Sequence, residues 1–331
     1  MDPRGFCTST RLFIVAGKGG VGKTTVSAAL ARMASLAGLR VLIVEVEGRS
    51  GLGAAFGRAG ALDYAEEVLV GAGHPAGAGE IRARTITPDD ALLEYLQEHG
   101  MRRISRRLIR TGAIEVVATA APGIKDILVL GKVKQLERAA ADGPGPDLIV
   151  IDAPAAGHAV TFLQSAHGLL DAVRVGPIRT QAQEVVDLLT DPDRCQVLLV
   201  TLPEETPVNE LVETAYSLED KVGIKLGPVV VNGIYPSLEG LDVDPAEAAA
   251  AAGIELRPTE IEALRRAAAF RLQRGRLQNE QIDRLASALP LPQLRLPYVF
   301  TEEIGPHDVD TLAAALGDGV GGLHASAEAN T

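Results

Sequence analysis

The stretch Val15-Ala-Gly-Lys-Gly-Gly-Val-Gly-Lys-Thr-Thr25 fits the phosphate-binding pattern G-x-x-x-x-G-K-[ST]. Its glycines let backbone amides turn toward phosphate oxygens where a Cβ atom would block them. Lys23 brings a positive charge to the outer phosphates, and the Thr24 hydroxyl is placed to bind Mg²⁺. We therefore predict that this loop binds the phosphates of a nucleotide through Gly17, Lys18, Gly19, Gly20, Val21, Gly22, Lys23, Thr24 and Thr25.

The residues on either side of the loop have the patterns of a buried strand and a helix. The apolar run 11–16 predicts a strand, and residues 24–37 predict a helix whose N-terminal dipole favours bound anions. Further apolar runs alternate with helical segments along the rest of the chain. This alternation predicts an α/β fold with a mostly parallel twisted sheet flanked by helices, with ligand sites at the carboxyl ends of the strands.

A second lysine, Lys18, directly follows the first glycine of the loop. The string G-K-G-G-V-G-K-T-T resembles the deviant P-loop ATPases, which include arsenite-pump ATPases, tail-anchored-protein targeting ATPases, partition and division-site ATPases and nitrogenase iron protein. The resemblance implies that Lys18 reaches across a dimer interface and brings positive charge to the partner's transferring phosphoryl group. It therefore implies a homodimer, or a heterodimer with a related ATPase subunit, that uses ATP and Mg²⁺.

Motifs farther along the chain resemble those of the arsenite-pump and tail-anchored-targeting ATPases, from about residue 11 to 316. Asp152 ends an apolar run and precedes A-P-A-A-G-H, which resembles their second switch. This implies that Asp152 holds Mg²⁺ and that His158 responds to the nucleotide. The segment ending at Asn232 resembles the strand whose terminal Asn reads adenine, and the loop around Pro297 resembles the final adenine-side loop. No N-K-x-D guanine-reading motif occurs, which favours ATP over GTP.

The match is weaker where these relatives place an aspartate that orients the attacking water. The aligned string Glu45-Val-Glu47 puts Glu47 at that position. A carboxylate one methylene longer can still accept a hydrogen bond from water, but a displacement of about 1 Å lowers the rate. Glu45 could substitute for it. The predicted catalytic residues are therefore Lys18, Lys23, Glu47 and Asp152, in an ATPase whose hydrolysis could be slow.

Composition and charge limit the other functions of the chain. Its 331 residues are 47% hydrophobic, enough for a large core, and its net charge of −11 argues against nucleic acid as a partner. Cys7 and Cys195 form no C-x-x-C pair, which argues against a disulfide scaffold, a zinc site or a metalloid site. The phosphate loop begins at residue 17 and no run of 18 apolar residues exists, so we expect a cytoplasmic protein without a signal peptide.

We predict one P-loop domain over residues 1–331, with a helical insert over 81–142 and a mobile Gly/Ala-rich tail over 317–331. The resemblance implies that the insert binds a protein client or another partner. The insert carries five arginines between 102 and 110, whereas the whole chain has only three methionines, unlike methionine-rich client sites. Two interpretations of the arginines stay open: a solvated helix face, or a surface for an acidic protein or for lipid headgroups.

These features predict an ATPase that works as a dimeric switch and couples the state of its nucleotide to the helical insert. A second hypothesis is a weakly hydrolysing or non-hydrolysing regulatory subunit of a heterodimer with a paralogous ATPase, because Glu47 and Ala155–Ala156 depart from the relatives' pattern. A third is a partition or division-site ATPase, which the acidic charge and the lack of a terminal amphipathic helix oppose.

Overall fold

The computed structural model describes residues 1–46, 51–98, 123–143 and 145–328, which contain an eight-stranded sheet. Runs rich in Val, Ile and Leu form most of its strands, as expected where both faces of a sheet are covered. The strands are β1 (Leu12–Gly17), β2 (Val41–Val46), β3 (Glu67–Val70), β4 (Ile81–Ile86), β5 (Leu148–Ala155), β6 (Cys195–Thr201), β7 (Val229–Ile234) and β8 (Gln293–Pro297).

The strands lie in the order β3-β4-β2-β5-β1-β6-β7-β8. Every neighbouring pair is parallel except β3 with β4. The predicted α/β class with a mostly parallel sheet is therefore confirmed. All six residues of β1 are buried, and β1 lies between β5 and β6. The loop after β1 consequently emerges near the middle of the carboxyl edge of the sheet.

Helices cover both faces of this sheet. They are α1 (Pro3–Cys7), α2 (Lys23–Leu36), α3 (Leu52–Ala55), α4 (Pro88–Glu98), α5 (Ile124–Asp142), α6 (Ala156–Ala172), α7 (Pro177–Thr190), α8 (Glu205–Val222), α9 (Pro245–Ala252), α10 (Pro258–Ala288) and α11 (Pro306–Glu328). Across the described ranges, none of them is both long enough and apolar enough to span a membrane.

Alternation along the strands divides the core into two layers, because successive side chains point to opposite faces. Phe13 and Val15 of β1 pack in the layer that contains α2 and α11. Leu12 and Ile14 pack in the other layer, with α5, α6, α7, α8 and the C-terminal part of α10. The phosphate loop and α2 thus belong to the first layer.

The structure corrects two of the predicted boundaries. Residues 81–86, assigned to the helical insert, form β4 and pair with β2, so the helical part begins with α4. The predicted tail from 317 continues α11 to Glu328, and burial of Val320 stabilises this extension. Residues 99–122, with the arginine-rich stretch, lie outside the described residues, and the single-domain division remains a prediction.

A buried ion network ties α5 to the amino end of the sheet. The side chain of Glu137 is 1% exposed and lies between two arginines. Arg194 donates to both of its oxygens, at 3.2 and 2.7 Å, and Arg11 Nε lies 3.2 Å from Oε1. The charges of Glu137 and Arg194 neutralise each other in this arrangement. Removal of either side chain therefore leaves the other without its ion-pair partner.

We expect Glu137→Ala to lower the free energy of unfolding by about 1–3 kcal/mol, because it leaves the guanidinium of Arg194, whose side chain is 20% exposed, without its hydrogen-bond acceptor. Urea denaturation of the purified protein measures the change. The exposed Glu213→Ala on α8 is the matched control and should change stability by less than about 0.5 kcal/mol. Equal losses in the two variants would contradict a stabilising role for the network.

Candidate functional site

Two glycines of the phosphate loop are required by their surroundings. A Cβ atom on Gly17 would lie 2.3 Å from the backbone oxygen of Val200, so only glycine lets β1 approach β6 here. Gly22 has a φ of 89° at the start of α2, in the left-handed region, and a Cβ there would lie 2.3 Å from Asn232 Nδ2. The loop is therefore held against two neighbouring strands, β6 and β7.

The side chain of Asn232 supports the loop directly. Its Nδ2 donates a hydrogen bond of 2.9 Å to the backbone oxygen of Val21. Sequence reasoning assigned Asn232 to adenine and missed this contact, because it depends on how β7 lies relative to the loop. The adenine contact remains a prediction, and the amide keeps its oxygen and a second N–H for it.

The two lysines of the loop lie in different environments. Lys23 Nζ donates to the backbone oxygen of Lys18 at 3.2 Å, across the turn of the loop at the N-terminus of α2. Lys18 Nζ forms an ion pair of 2.5 Å with Glu210 Oε1 on α8 of the same chain. The side chains of that pair are 39% and 40% exposed. Lys18 is thus at the surface of the site, with an intramolecular partner that the sequence did not reveal.

The predicted Mg²⁺ ligands Thr24 and Asp152 meet beneath the loop. β5 lies beside β1 with Asp152 in register with Val15, so Asp152 reaches the start of α2. Thr24 Oγ1 donates to Asp152 Oδ2 at 2.6 Å, and Ser27 Oγ lies 3.4 Å from Oδ1. A hydroxyl and a carboxylate at the foot of a phosphate loop are the protein ligands that Mg²⁺ uses in such sites.

Burial raises the pKa of Asp152 to about 6, because this carboxylate is only 5% exposed. The Thr24 hydroxyl and the Lys23 ammonium oppose this effect by favouring the charged form. The neighbouring carboxylate of Glu45 adds to it. The charge of Asp152 is therefore destabilised in the protein alone, and a bound cation would favour it.

We expect Asp152→Asn to stabilise the metal-free protein at pH 7.5. On folding the pKa of the Asp152 carboxyl rises from 3.8 to about 6, so ionisation of this group destabilises the folded state. The loss of folding free energy grows as the pH rises from about 4 to about 6. Above this range the loss is constant at about 3 kcal/mol, from 1.36 kcal/mol for each pKa unit. Urea unfolding should show a stability gap at pH 7.5 that nearly closes at pH 4. A pH-independent gap, or the same gap for the exposed Asp220→Asn, would contradict this origin.

Glu45 is a second buried carboxylate at this edge of the sheet. It is 2% exposed, lies in register with Asp152 across the β2–β5 pair, and accepts a hydrogen bond from the Thr85 hydroxyl. The sequence named it only as a substitute for Glu47, although an acid within an apolar strand was the available signal. Glu47 and the side chain of His158 lie outside the described residues, so their predicted roles stay predictions.

The other predicted features lie farther from the loop. Pro297 ends β8, two strands from β6, and its contact with adenine stays a prediction. In the part of the chain that the structure describes, no group of three or more His, Cys, Asp or Glu side chains could hold a metal ion. We call the loop, Asp152 and Glu45 together the cradle, in which two neighbouring carboxylates lie beneath the glycine-rich loop.

A family model described as anion-transporting ATPase matches residues 10–175. The chain belongs to this family. The match includes β1, the phosphate loop, α2, β2 and β5, and therefore the whole cradle, whereas Asn232 and Glu210, which contact the loop, lie outside it. The resemblance to arsenite-pump ATPases that the loop indicated is confirmed.

Curated relatives extend the family match beyond residue 175. The chain is 36% identical over 243 residues to ATPase BagA of Mycobacterium tuberculosis, covering 72% of this chain and 70% of that protein. It is 26% identical to a putative arsenical pump-driving ATPase of Halobacterium salinarum and 27% identical to an arsenical pump-driving ATPase of Escherichia coli. These matches cover 69% and 67% of this chain but only 36% and 39% of the relatives.

Proposed function

We propose that the protein binds and hydrolyses ATP and works as a dimeric switch. The observation that carries the proposal is the hydrogen bond between Thr24 and Asp152 beneath a glycine-rich loop at the start of α2. Membership of a family described as anion-transporting ATPases agrees with ATP hydrolysis as the reaction.

The residues of the cradle fit a nucleotide with Mg²⁺. Gly20 has a φ of 85° and a Cβ built on it would meet no atom within 4 Å, so the loop is open where phosphate oxygens would approach its amides. Thr24 and Asp152 would hold Mg²⁺, which neutralises charge on the phosphates when bound. Lys23 would contact the outer phosphates, and Glu47, with Glu45 as the alternative, would orient the attacking water.

The position of Lys18 suits a residue that changes partners. Its ion pair with Glu210 is partly exposed, and such pairs contribute only about 0–1 kcal/mol to stability. A second chain with a bound nucleotide could therefore attract Lys18 away from Glu210. We propose that Lys18 then brings its charge to the phosphoryl group held by the other chain, in a homodimer or in a heterodimer with a related ATPase.

Contacts between the segment that joins β2 to β3 and the helices of the insert offer a route from the nucleotide site to the insert. Tyr64, near the end of this segment, donates its hydroxyl hydrogen to Glu94 on α4. Lys132 on α5 donates to the other oxygen of Glu94 at 2.7 Å. Arg84 of β4 stacks on the Tyr64 ring at 4.4 Å. Because α4 and α5 belong to the insert, we propose that a rearrangement of the segment between β2 and β3 moves the insert through these contacts.

The partners of the switch are predicted from the sequence alone. A protein client or a membrane partner of the insert, and the absence of nucleic acid, zinc and metalloid sites, remain predictions from the sequence. The cytoplasmic location also remains a prediction. We do not assign the activity of the arsenical pump-driving ATPases to this chain, because its two cysteines, Cys7 and Cys195, are far apart in the sequence.

A regulatory subunit with little or no hydrolysis is the second candidate. The replacement of the relatives' aspartate by Glu47 favours it. Steady-state hydrolysis of Mg·ATP by the purified chain decides between the two. Turnover by the chain alone supports the ATPase, whereas bound ATP without turnover supports the regulatory subunit. A gain in turnover in Glu47→Asp, with unchanged ATP affinity, would also support the regulatory subunit.

A further inference from the structure

A groove of about 550 Å³ lies between the segment that follows β7, the middle of α10 and the end of β8. Its size is within the range of small-ligand sites. Arg295 lies between Leu294 and Leu296, which pack in the α2 layer, so its side chain points to the opposite face, where α10 lies. The groove is therefore on the other face of the sheet from α2.

Three arginines line the groove, and no Asp or Glu does. They are Arg271, Arg276 and Arg295. Within the described ranges none of the three forms an ion pair, whereas Arg265 and Arg266 of the same helix pair with Asp244 and Glu262. In a chain with a net charge of −11, such a concentration of uncompensated positive charge favours an anionic ligand.

One of these arginines is already held in place. The guanidinium of Arg271 stacks 4.2 Å from the centre of the Tyr235 ring and donates to the backbone oxygen of Pro236 at 3.0 Å. The Tyr235 backbone is fixed in turn by Gln278, which is 3% exposed and accepts from the Tyr235 amide at 2.9 Å. A ligand that binds here would therefore lose little free energy to the ordering of these side chains.

The remaining wall of the groove is apolar. It includes Leu238, which is 54% exposed, together with Leu241 and Leu272. An exposed leucine beside unpaired guanidinium groups suits a ligand that carries both an apolar body and a charged group. Inorganic phosphate alone would leave this wall uncovered.

Gly275 is a second feature of this groove, and it keeps the floor of the groove open. It lies in the interior of the 31-residue helix α10, where glycine lowers helix stability relative to any residue except proline. A Cβ atom built on it would meet no atom within 4 Å, so packing does not require glycine there. Its missing side chain leaves open space along the floor of the groove, which Gly275 lines.

We propose that this groove binds a small organic anion, with a carboxylate or phosphate group against Arg271, Arg276 and Arg295 and an apolar body against the leucines. The groove lies away from the phosphate loop, and Pro297, the residue predicted to lie beside adenine, forms one end of its lining. Its occupancy does not depend on whether the chain hydrolyses ATP.

The chain contains no tryptophan, so the fluorescence of a single introduced tryptophan can report on the groove. Phe300 is 68% exposed and its ring lies 5.6 Å from the Arg271 guanidinium, so Phe300→Trp places the reporter at the edge of the groove. We expect saturable changes in its emission with phenyl phosphate or benzoate, and at least tenfold weaker responses with benzyl alcohol or inorganic phosphate. The relative affinities of the first two probes distinguish phosphate from carboxylate. Intrinsic tyrosine emission of the unmodified chain provides a second readout through Tyr235 and Tyr298.

Two variants and two controls make the test specific. Gly275→Leu should fill the groove and weaken binding at least tenfold without lowering the melting temperature, and Arg276→Gln/Arg295→Gln should weaken it similarly. Arg266→Gln, on the same helix but outside the groove, and Lys23→Ala, in the phosphate loop, should bind as the reporter protein does. The proposal is overturned if neither anion saturates, if benzyl alcohol binds as well as the anions, if Gly275→Leu binds normally, or if Lys23→Ala abolishes binding.

Discussion

Replacement of Lys18 by alanine is expected to lower ATP turnover by about 10³-fold or more while the affinity of each chain for ATP changes little. A cation supplied across an interface to a transferring phosphoryl group accelerates such reactions by about 10³–10⁵-fold. The Lys18 ammonium already extends from the loop to Glu210 at the surface and does not contact the cradle's carboxylates in the described structure. Its loss should therefore affect hydrolysis in the dimer more than nucleotide binding by one chain.

Mixing two inactive variants tests whether Lys18 acts across the interface. Lys18→Ala keeps its own Asp152, and Asp152→Ala keeps its own Lys18. In a mixed dimer one site then has both residues only if Lys18 comes from the partner, and up to about a quarter of the wild-type rate should return. No recovery in the mixture would show that Lys18 acts within its own chain. The exposed Lys221→Ala on α8 should hydrolyse ATP at the wild-type rate.

Lys23→Ala is expected to lower turnover by about 10²–10³-fold and also to weaken ATP binding. Lys23 is the first residue of α2, and its Nζ donates to the Lys18 backbone oxygen at 3.2 Å. The position of its charge therefore depends on the fold of its own chain and not on a partner chain. Removal of one such electrostatic contact in a closed site has effects of this size. Steady-state hydrolysis and the rise in melting temperature with added Mg·ATP measure the two effects.

The control for Lys23→Ala is again Lys221→Ala, which removes a lysine without touching the loop. Wild-type turnover in Lys23→Ala would exclude the phosphate loop as the hydrolytic site. A loss of turnover with unchanged stabilisation by ATP would place the role of Lys23 in the reaction and not in binding.

Local patterns in the sequence were sufficient to find the phosphate loop and Asp152. The glycines and lysines of the loop are close in sequence, and the strand before them and the helix after them follow from hydrophobic periodicity alone. Asp152 was found because it ends an apolar strand, and parallel strands bring their carboxyl ends to one edge. Thr24 and Asp152 are 128 residues apart in sequence, yet the sequence placed both in one site.

Contacts that depend on the arrangement of distant elements were not accessible in this way. The partner of Lys18 is 192 residues away on α8, and the residue that supports Val21 is 211 residues away on β7. β4 was assigned to a helical insert because Arg82, Arg84 and Thr85 interrupt its apolar run. The helix that continues past Gly317 was missed because glycine favours loops locally, whereas burial of Val320 stabilises the helix.

The sequence by itself determined the fold class, the phosphate loop and its family, because each depends on residues that are neighbours along the chain or on the period of buried side chains. Only the tertiary structure decided that Glu45 lies beside Asp152, that Lys18 is held by Glu210, and that three arginines surround one groove. Charges act through space over a few ångströms, so their effects follow from the packing of strands and helices and not from their order in the chain.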